Sequence, residues 1–174
     1  MASEQVRALH FKGKLLVQAD VVAVTGLHIG GGSERFEIGG IDNPVIKDAR
    51  GVPYIPGSSL KGKLRSLLER LDRRPPNRRI ANGYIHSCDD PADYRQCWVC
   101  RLFGVPAQEF NEPTRVTVRD APLDESSITD EMRGQLELPY TEIKSENSLD
   151  RLTSAANRRQ MERVPAGARF KATL

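Results

Sequence analysis

All three cysteines of this 174-residue chain lie in one short segment, and this grouping limits what the segment can fold into. Cys97 and Cys100 have the spacing with which two thiolates bind one tetrahedral metal ion, and His86 and Cys88 precede them. A disulfide framework would need more cysteines, spread through the chain, than these three. The spacing predicts a structural zinc site with ligands His86, Cys88, Cys97 and Cys100, with no open position for a substrate.

Two other interpretations of this segment stay open. A redox dithiol at the Cys-x-x-Cys turn would not need two further ligands beside it, and free buried thiols are unusual in a segment this rich in Asp and Arg. The fourth ligand is also open. His86 is the best placed, but a carboxylate of Asp89, Asp90 or Asp93 offers an alternative.

The composition indicates a folded protein of one domain. The chain has 39% hydrophobic and 28% charged residues, and its mean hydropathy is -0.48. It contains no apolar run of the roughly 18 residues that a membrane span needs, and its N-terminus lacks the apolar region of a signal peptide. We therefore expect a cytoplasmic protein that does not bind membranes.

Basic side chains are concentrated between Lys61 and Arg79. This segment has eight basic and two acidic residues, a net charge of +6, whereas the whole chain carries +3. The rest of the chain is thus mildly acidic. One basic segment on an acidic body predicts binding to a polyanion, most often a nucleic acid. The alternative is a solvated helix face followed by a basic loop.

The first half of the chain predicts strands around a glycine-rich loop. Residues 9–25 favour a strand, and His28, Gly30 and Gly31 begin a loop that continues through Gly40 and can lie close to a ligand. Residues 42–48 and 52–56 are expected to form an extended hairpin, with a turn at residues 49–51.

A helix is predicted to begin at Ser58 and Ser59, because leucines then recur every three or four residues as far as Leu71. Its N-terminus would accept a phosphate, which the side chains of Lys61, Lys63 and Arg65 would also contact. A serine-capped amphipathic helix with no ligand is the alternative. Residues 72–85 are expected to form a basic loop.

The second half of the chain predicts three further elements. Arg115–Asp120 alternates like a strand, and a short helical turn is expected at residues 126–132. Residues 140–165 are polar, densely charged and poor in apolar residues, so they are expected to form a projecting hairpin or arm.

Five segments, in this order, resemble the repeat-associated RAMP superfamily, and within it the backbone subunit of type III CRISPR effector complexes. They are LHIGGGSERFEIGGIDNPVIKD, GVPYIPGSSLKGKLRSLLERL, CWVCRLFG, PTRVTVRDAPL and TEIKSENSLDRLTSAANRRQMERVPAGARF. The matches run from about Gly26 to Phe170. The segments IPGSSLKGKLRSLLE and ERVPAGA are specific enough that chance agreement is not expected.

The resemblance implies an α+β fold with a ferredoxin-like, RRM-related βαββαβ core in a single RAMP domain over residues 1–174. A zinc-stapled insertion would occupy about residues 80–104, and the arm at about 140–165 would be the thumb of the family. Family members usually continue with a helix, a strand and a glycine-rich loop after the segment that matches Val164–Leu174, so this chain is expected to lack those C-terminal elements.

The resemblance also implies a function. Copies of such a subunit stack into a filament with other type III subunits, bind a CRISPR guide RNA and cleave complementary target RNA at regular intervals, in the cytoplasm. The aspartate required for cleavage would be Asp42, assisted by Mg²⁺ or Mn²⁺. The expected RNA contacts are His28, Gly30, Gly31, Ser58, Ser59, Lys61, Lys63, Arg65, Lys144, Arg151, Arg158, Arg159 and Arg163.

Several alternatives to this function remain. Asp48 is a second candidate for the catalytic carboxylate, but it precedes a turn in which Asp is expected for turn formation alone. The chain could also be a non-catalytic RNA-binding subunit, one RAMP unit of a fused single-chain effector, or a zinc-stapled interaction domain without RNA.

Overall fold

The computed structural model describes residues 10–31, 41–106 and 112–174, which form eight short strands and four helices. The strands are β1 (Gln18–Val22), β2 (Tyr54–Ile55), β3 (Arg78–Ile80), β4 (Gly83–Ile85), β5 (Ala121–Pro122), β6 (Glu142–Leu149), β7 (Ala156–Arg163) and β8 (Arg169–Thr173). The helices are α1 (Gly57–Leu71), α2 (Pro91–Gln96), α3 (Trp98–Phe103) and α4 (Asp130–Arg133), and a 3-10 turn spans Glu125–Ser127.

Strand β8 is at the centre of the main hydrophobic core. Its Phe170 and Ala172 are buried while Arg169 and Lys171 are exposed, as expected for a strand with one face on a core. β1 pairs with β8 in antiparallel fashion along its whole length. On the other edge of β8, the Asp124 amide donates to the carbonyl of Arg169 over 2.8 Å. β5 in turn pairs with β2.

The described residues therefore contain antiparallel pairs, β1–β8, β2–β5, β3–β4 and β6–β7, rather than one continuous four-stranded sheet. The fold is mixed α and β, as expected. The ferredoxin-like βαββαβ arrangement stays a prediction.

The predicted strand at Arg115–Asp120 is wrong, because regular pairing begins only at Ala121. The preceding segment forms no strand and makes individual backbone hydrogen bonds, such as that from the Arg119 amide to the carbonyl of Thr173. Gly57 explains the difference. A Cβ atom there would overlap the backbone of Val118, so α1 lies where a neighbouring strand would pair.

The helix α1 forms close to the predicted position, but the predicted serine cap is wrong. The residue before the helix is Pro56, and neither Ser58 nor Ser59 caps it with a side chain. Instead the carboxylate of Asp120 accepts a hydrogen bond of 2.7 Å from the Gly57 amide. A carboxylate from a distant part of the chain thus satisfies the positive end of the helix.

Helix α1 joins the main core to a second, smaller one. Leu60 packs against the main core, and Leu68 packs against a cluster formed by the three cysteines, Tyr94, Val99 and Val105. The second cluster lies in residues 75–106, which we call the Cys/His lobe. The predicted basic loop at 72–85 contains the hairpin β3–β4 within this lobe. Two leucines of the periodic set, Leu67 and Leu71, are 49% and 81% exposed.

The predicted arm is a β-hairpin. β6 and β7 pair from Glu142 opposite Arg163 to Leu149 opposite Ala156. The hairpin is mostly exposed, and burial begins where it joins the body, at Glu162. The turn at residues 49–51 also forms as predicted. The short helical turn expected at residues 126–132 is divided into the 3-10 turn and α4, with residues 128–129 between them.

Candidate functional site

The Cys/His lobe brings together four side chains that could hold a metal ion. One ligand atom from each of His86, Cys88, Cys97 and Cys100 lies within 4.8 Å of the other three, and all four residues are buried. A tetrahedral zinc ion with Zn–S bonds of about 2.3 Å separates its sulfurs by about 3.8 Å. The donor set and its spacing therefore fit such an ion with small movements.

The cysteine environment explains why a cation would be favourable. None of the three cysteines forms a disulfide. Burial raises the pKa of the Cys88 thiol, and the neighbouring Cys100 and Cys97 thiols raise it further. Burial also raises the pKa of Cys100. These raised pKa values keep the thiols of Cys88 and Cys100 protonated without a metal ion, whereas a divalent cation would stabilise their thiolates.

Histidine, rather than a nearby carboxylate, completes this group. The Cys88 Sγ lies 3.6 Å from the Nε2 of His86. Asp90 instead caps α2, accepting hydrogen bonds from the amides of Ala92 and Asp93 over 2.8 and 3.0 Å. Neither Asp90 nor Asp93 belongs to the group of potential ligands in the described chain.

Asp42 lies beside the base of the β6–β7 hairpin. The side chain is exposed, and its Oδ2 accepts a hydrogen bond of 3.1 Å from the amide of Gln160 on β7. The next residue, Asn43, accepts a hydrogen bond of 3.0 Å at its carbonyl from the amide of Glu162. Asp42 is thus held against the hairpin while its carboxylate remains accessible.

Glu162 is a buried carboxylate that sequence reasoning missed. It is 1% exposed, and its carboxylate accepts hydrogen bonds from the Val45 amide at 2.9 Å and the Thr141 hydroxyl at 2.5 Å. Lys47 Nζ lies 2.5 Å from the same carboxylate. Burial alone would raise the pKa of Glu162, but the hydrogen bonds from Lys47, Thr141 and Val45 hold it below its ordinary value.

The sequence carried one signal for this role. Glu162 stands between Met161 and Val164, the only apolar residues close to it in the polar arm, so it lies where the arm enters the core. A carboxylate that is buried at such a boundary needs hydrogen-bond donors or a cation as partners, because burying an unpaired charge is costly.

His28 is held against β7 by a bond to the backbone of Glu162. Its Nδ1 lies 2.7 Å from the backbone carbonyl of Glu162, to which it donates when that nitrogen carries the proton. Gly30 and Gly31 pair with the segment that follows Asp42, through a bridge to Val45 and a bond from the Gly31 amide to the carbonyl of Pro44. The rest of the predicted glycine loop, from Gly32 to Gly40, lies outside the described residues.

Asp48 has the turn role expected for it. Its Oδ1 accepts hydrogen bonds from the amides of Arg50 and Val52, and its Oδ2 bonds the guanidinium of Arg50. The amide of Val52 is the main cause that holds the pKa of Asp48 below its ordinary value, with the Arg50 contacts adding to it. These contacts engage both carboxylate oxygens in the turn.

The residues predicted to bind phosphate on α1 differ in accessibility. Ser58, Ser59 and Lys63 are exposed, and Lys61 is half-buried. Arg65 is only 15% exposed, and its guanidinium is bonded inside the protein, to Glu69 and to carbonyls of the Cys/His lobe. This engagement argues against Arg65 as an RNA contact.

The hairpin cations fall into two groups. Lys144 pairs with Glu146 over 2.7 Å, and Arg163 pairs with Glu142 over 2.5 Å while its side chain covers Gly26. In contrast, three exposed arginines of the described hairpin have no ion pair within 4 Å and no side-chain hydrogen bond: Arg151, Arg158 and Arg159. Arg159 nevertheless lies opposite Glu146 and helps to lower the pKa of that carboxylate. Arg151 lies at the tip of the hairpin, and Arg158 and Arg159 lie on β7, directly before Gln160, whose amide bonds Asp42.

No helix in the described part of the chain is long and apolar enough to cross a bilayer.

Comparison with known proteins places these features in a family. The family model of the RAMP superfamily matches residues 20–173. A protein named CRISPR system Cms endoribonuclease Csm3 from Methanocaldococcus jannaschii is 43% identical over 167 residues, which cover 94% of this chain and 62% of the relative. A protein of the same name from Methanothermobacter thermautotrophicus is 40% identical, covering 93% of this chain and 67% of the relative. A third protein of this name, from Enterococcus italicus, is 40% identical, and the match covers 90% of this chain and 68% of the relative.

This chain thus spans about two thirds of the length of these relatives. A solved structure described as "Cryo-EM structure of the Type III-B Cmr-beta bound to cognate target RNA" contains a chain that superposes with a TM-score of 0.57. The sequence identity is 14%, and the superposition covers 91% of this chain and 45% of that one, which shows a shared fold. On the extent of the family match and the identity to these relatives, the chain belongs to the RAMP superfamily.

Proposed function

We propose that this protein is a guide-RNA-binding backbone subunit of a type III CRISPR complex and that Asp42 serves the cleavage of target RNA. One observation carries the proposal: the accessible carboxylate of Asp42 is hydrogen-bonded to Gln160 of β7, the strand that also carries the exposed Arg158 and Arg159. Relatives at 40–43% identity are named endoribonucleases, which supports the same reaction here.

The proposed chemistry needs no protein nucleophile. The 2′-hydroxyl of the target RNA attacks the adjacent phosphorus, and the bond from phosphorus to the 5′-oxygen of the next nucleotide breaks. The departing 5′-oxygen takes a proton from water, so a 2′,3′-cyclic phosphate and a 5′-hydroxyl result. Asp42 would accept the proton of the 2′-hydroxyl. Because a carboxylate cannot offset the charge that develops on the phosphate, we expect Mg²⁺ or Mn²⁺ to supply positive charge at this step.

The hairpin and α1 would bind the sugar–phosphate backbone of the RNA. Arg151, Arg158 and Arg159 on the hairpin and Lys61 and Lys63 on α1 are the cations available for phosphates, and such contacts do not depend on sequence. The hairpin would act as the thumb that interrupts the guide–target duplex and brings a displaced nucleotide to Asp42. The remaining partners would be further copies of this chain in a filament and other subunits of the complex.

The test of Asp42 separates cleavage from binding. In the complex assembled on its guide RNA, Asp42→Ala should reduce target cleavage at least about a hundredfold, the contribution of a general base. Target affinity should stay within about threefold of the native complex. Asp130→Ala removes an exposed aspartate of α4, outside this region and outside the Cys/His lobe, and serves as the control.

Equal cleavage by the Asp42→Ala and native complexes, with affinity unchanged, would overturn the catalytic assignment and leave a non-catalytic RNA-binding subunit. A complex that fails to bind guide or target RNA in its native form would overturn the proposed function as a whole.

We also propose that the Cys/His lobe holds a structural zinc ion through His86, Cys88, Cys97 and Cys100. Three thiolates and one imidazole are typical zinc ligands, and a site with four protein ligands holds a loop rather than activating a substrate. Elemental analysis of protein purified without chelator should give about one zinc per chain. A content below about half a zinc per chain would contradict this.

A further inference from the structure

The two ends of the Cys/His cluster are held by different parts of the molecule. Cys97 caps α3 and Cys100 lies within that helix, with the Cys100 amide 3.5 Å from Cys97 Sγ. The local helical turn thus fixes these two ligands relative to each other. His86 and Cys88 follow β4 and lie in neither a helix nor a strand, so their positions must depend on other contacts.

Helix α1 supplies the contacts that hold the backbone of His86. Arg65 Nη2 donates to the His86 carbonyl over 2.7 Å, and the His86 amide donates to Glu69 Oε1 over 3.1 Å. Arg65 Nε also bonds the same Glu69 oxygen at 3.0 Å, and its Nη1 reaches the carbonyl of Gly104 at 3.2 Å. One side-chain pair therefore satisfies both backbone groups of a potential ligand and reaches the residue that follows α3.

The imidazole ring and the next residue are fixed as well. His86 Nδ1 lies 3.2 Å from the carbonyl of Pro75, a geometry in which Nδ1 carries the proton and Nε2 faces Cys88. The Asn77 amide group accepts from the Ser87 amide and donates to the Ser87 carbonyl, both at 2.9 Å. Because a carbonyl can only accept, this contact favours the tautomer that leaves Nε2 available for a metal ion.

We infer that Arg65 and Glu69 of α1 form the outer shell of the metal site and position His86 as its fourth ligand. The inference rests on the proposed metal site and assigns Arg65 to it rather than to RNA. The pair is 15% and 12% exposed, so water competes little for its hydrogen bonds. Residues that orient metal ligands in this way typically change metal affinity by about 10–100-fold when replaced.

The test measures metal retention in the full chain. Zinc transfer to a chromogenic chelator is followed for the native protein, Glu69→Ala and Glu69→Gln. Glu69→Ala should weaken zinc retention by about 10–100-fold. Glu69→Gln should recover most of it, because its amide oxygen can still accept from the His86 amide. Arg70→Ala, next to Glu69 on the exposed face of α1, is the matched control and should retain zinc like the native chain.

A Co²⁺-substituted sample distinguishes positioning from general loss of structure. In Glu69→Ala the thiolate-to-cobalt absorption should persist, while the ligand-field bands change because the His86 nitrogen is no longer held. Arg65→Lys, which keeps the charge but loses the planar fork, should show the same spectral change.

Three results would overturn the inference. They are zinc retention by Glu69→Ala within about threefold of the native chain, equal losses in Glu69→Ala and Arg70→Ala, or an unchanged cobalt spectrum in both Glu69→Ala and Arg65→Lys. A native chain that binds no zinc would instead overturn the proposed metal site itself.

Discussion

The buried carboxylate of Glu162 should be the most sensitive single position near Asp42. It accepts hydrogen bonds from Val45, Thr141 and Lys47, and it is almost fully shielded from water. Replacing it with Gln keeps the volume of the side chain but removes the negative charge. Lys47 then loses its partner, and one amide hydrogen of the new side chain faces groups that are themselves donors.

The magnitude follows from the geometry. Breaking a fully buried ion pair costs about 3–5 kcal/mol. Because Lys47 is 30% exposed and can turn towards water, we expect the lower end, about 3 kcal/mol, for Glu162→Gln. In a chain of this size each kcal/mol lowers the melting temperature by about 2–4 °C, so the expected decrease is about 6–12 °C.

The measurement is thermal and urea unfolding of the two proteins, with Glu146→Gln on the same hairpin as the control. Glu146 also pairs with a lysine, Lys144, but both side chains are more than 40% exposed, so its replacement should cost less than about 1 kcal/mol. If the free energy of unfolding of Glu162→Gln lies within about 1 kcal/mol of that of the native protein, the carboxylate does not stabilise the fold as these contacts indicate.

The pH dependence gives a second check of the same reasoning. The folded protein lowers the pKa of Glu162 from its ordinary value of 4.5. The stabilisation is therefore complete above that value and is lost as the pH falls through the lower pKa of the folded state. The difference in stability between native protein and Glu162→Gln should be largest near neutral pH and should shrink on acidification. A difference that stays constant down to about pH 2 would contradict this assignment.

Two further predictions concern α1. Replacing Lys61 and Lys63 by Ala should weaken RNA binding for every sequence. The slope of log affinity against log salt concentration should become shallower by about 1.4, because each lost phosphate contact to single-stranded RNA contributes about 0.7. An unchanged slope would remove both lysines from the interface. Gly57→Ala should destabilise the protein by about 1–3 kcal/mol, because the new methyl group overlaps the backbone of Val118. Gly62→Ala, in the same helix but with open space around it, should be neutral or stabilising by up to about 1 kcal/mol, and equal effects of the two substitutions in urea unfolding would refute the packing argument.

Local patterns in the sequence predicted the local elements well. The leucine periodicity located α1, the polar arm at residues 140–165 became the β6–β7 hairpin, and the ligand spacing located a group that could bind metal. Each of these signals depends on residues close to one another in the chain. For the same reason Asp48 could be assigned to its turn.

Errors and omissions came from contacts between distant residues. The serine cap on α1 was wrong because Asp120, 63 positions away, takes the capping role. In the sequence Arg65 is one more cation of a basic segment. In the structure it donates to the carbonyls of His86 and Gly104, which lie 21 and 39 positions further along the chain. Glu162 was missed because its partner Val45 is 117 positions away. Periodicity and composition contain no information on such pairs.

The Cys/His lobe begins and ends at places that the rest of the fold already holds together. β2 lies directly before α1, and its partner β5 lies beyond the lobe, so the chain leaves and re-enters the main body at adjacent strands. Once its ends are fixed, lengthening a loop costs little entropy, about 0.6 kcal/mol for each doubling. Asp42 and Glu162 are held by residues outside the lobe. The lobe could therefore be enlarged, shortened or exchanged for another compact module in related proteins while the geometry around Asp42 is preserved.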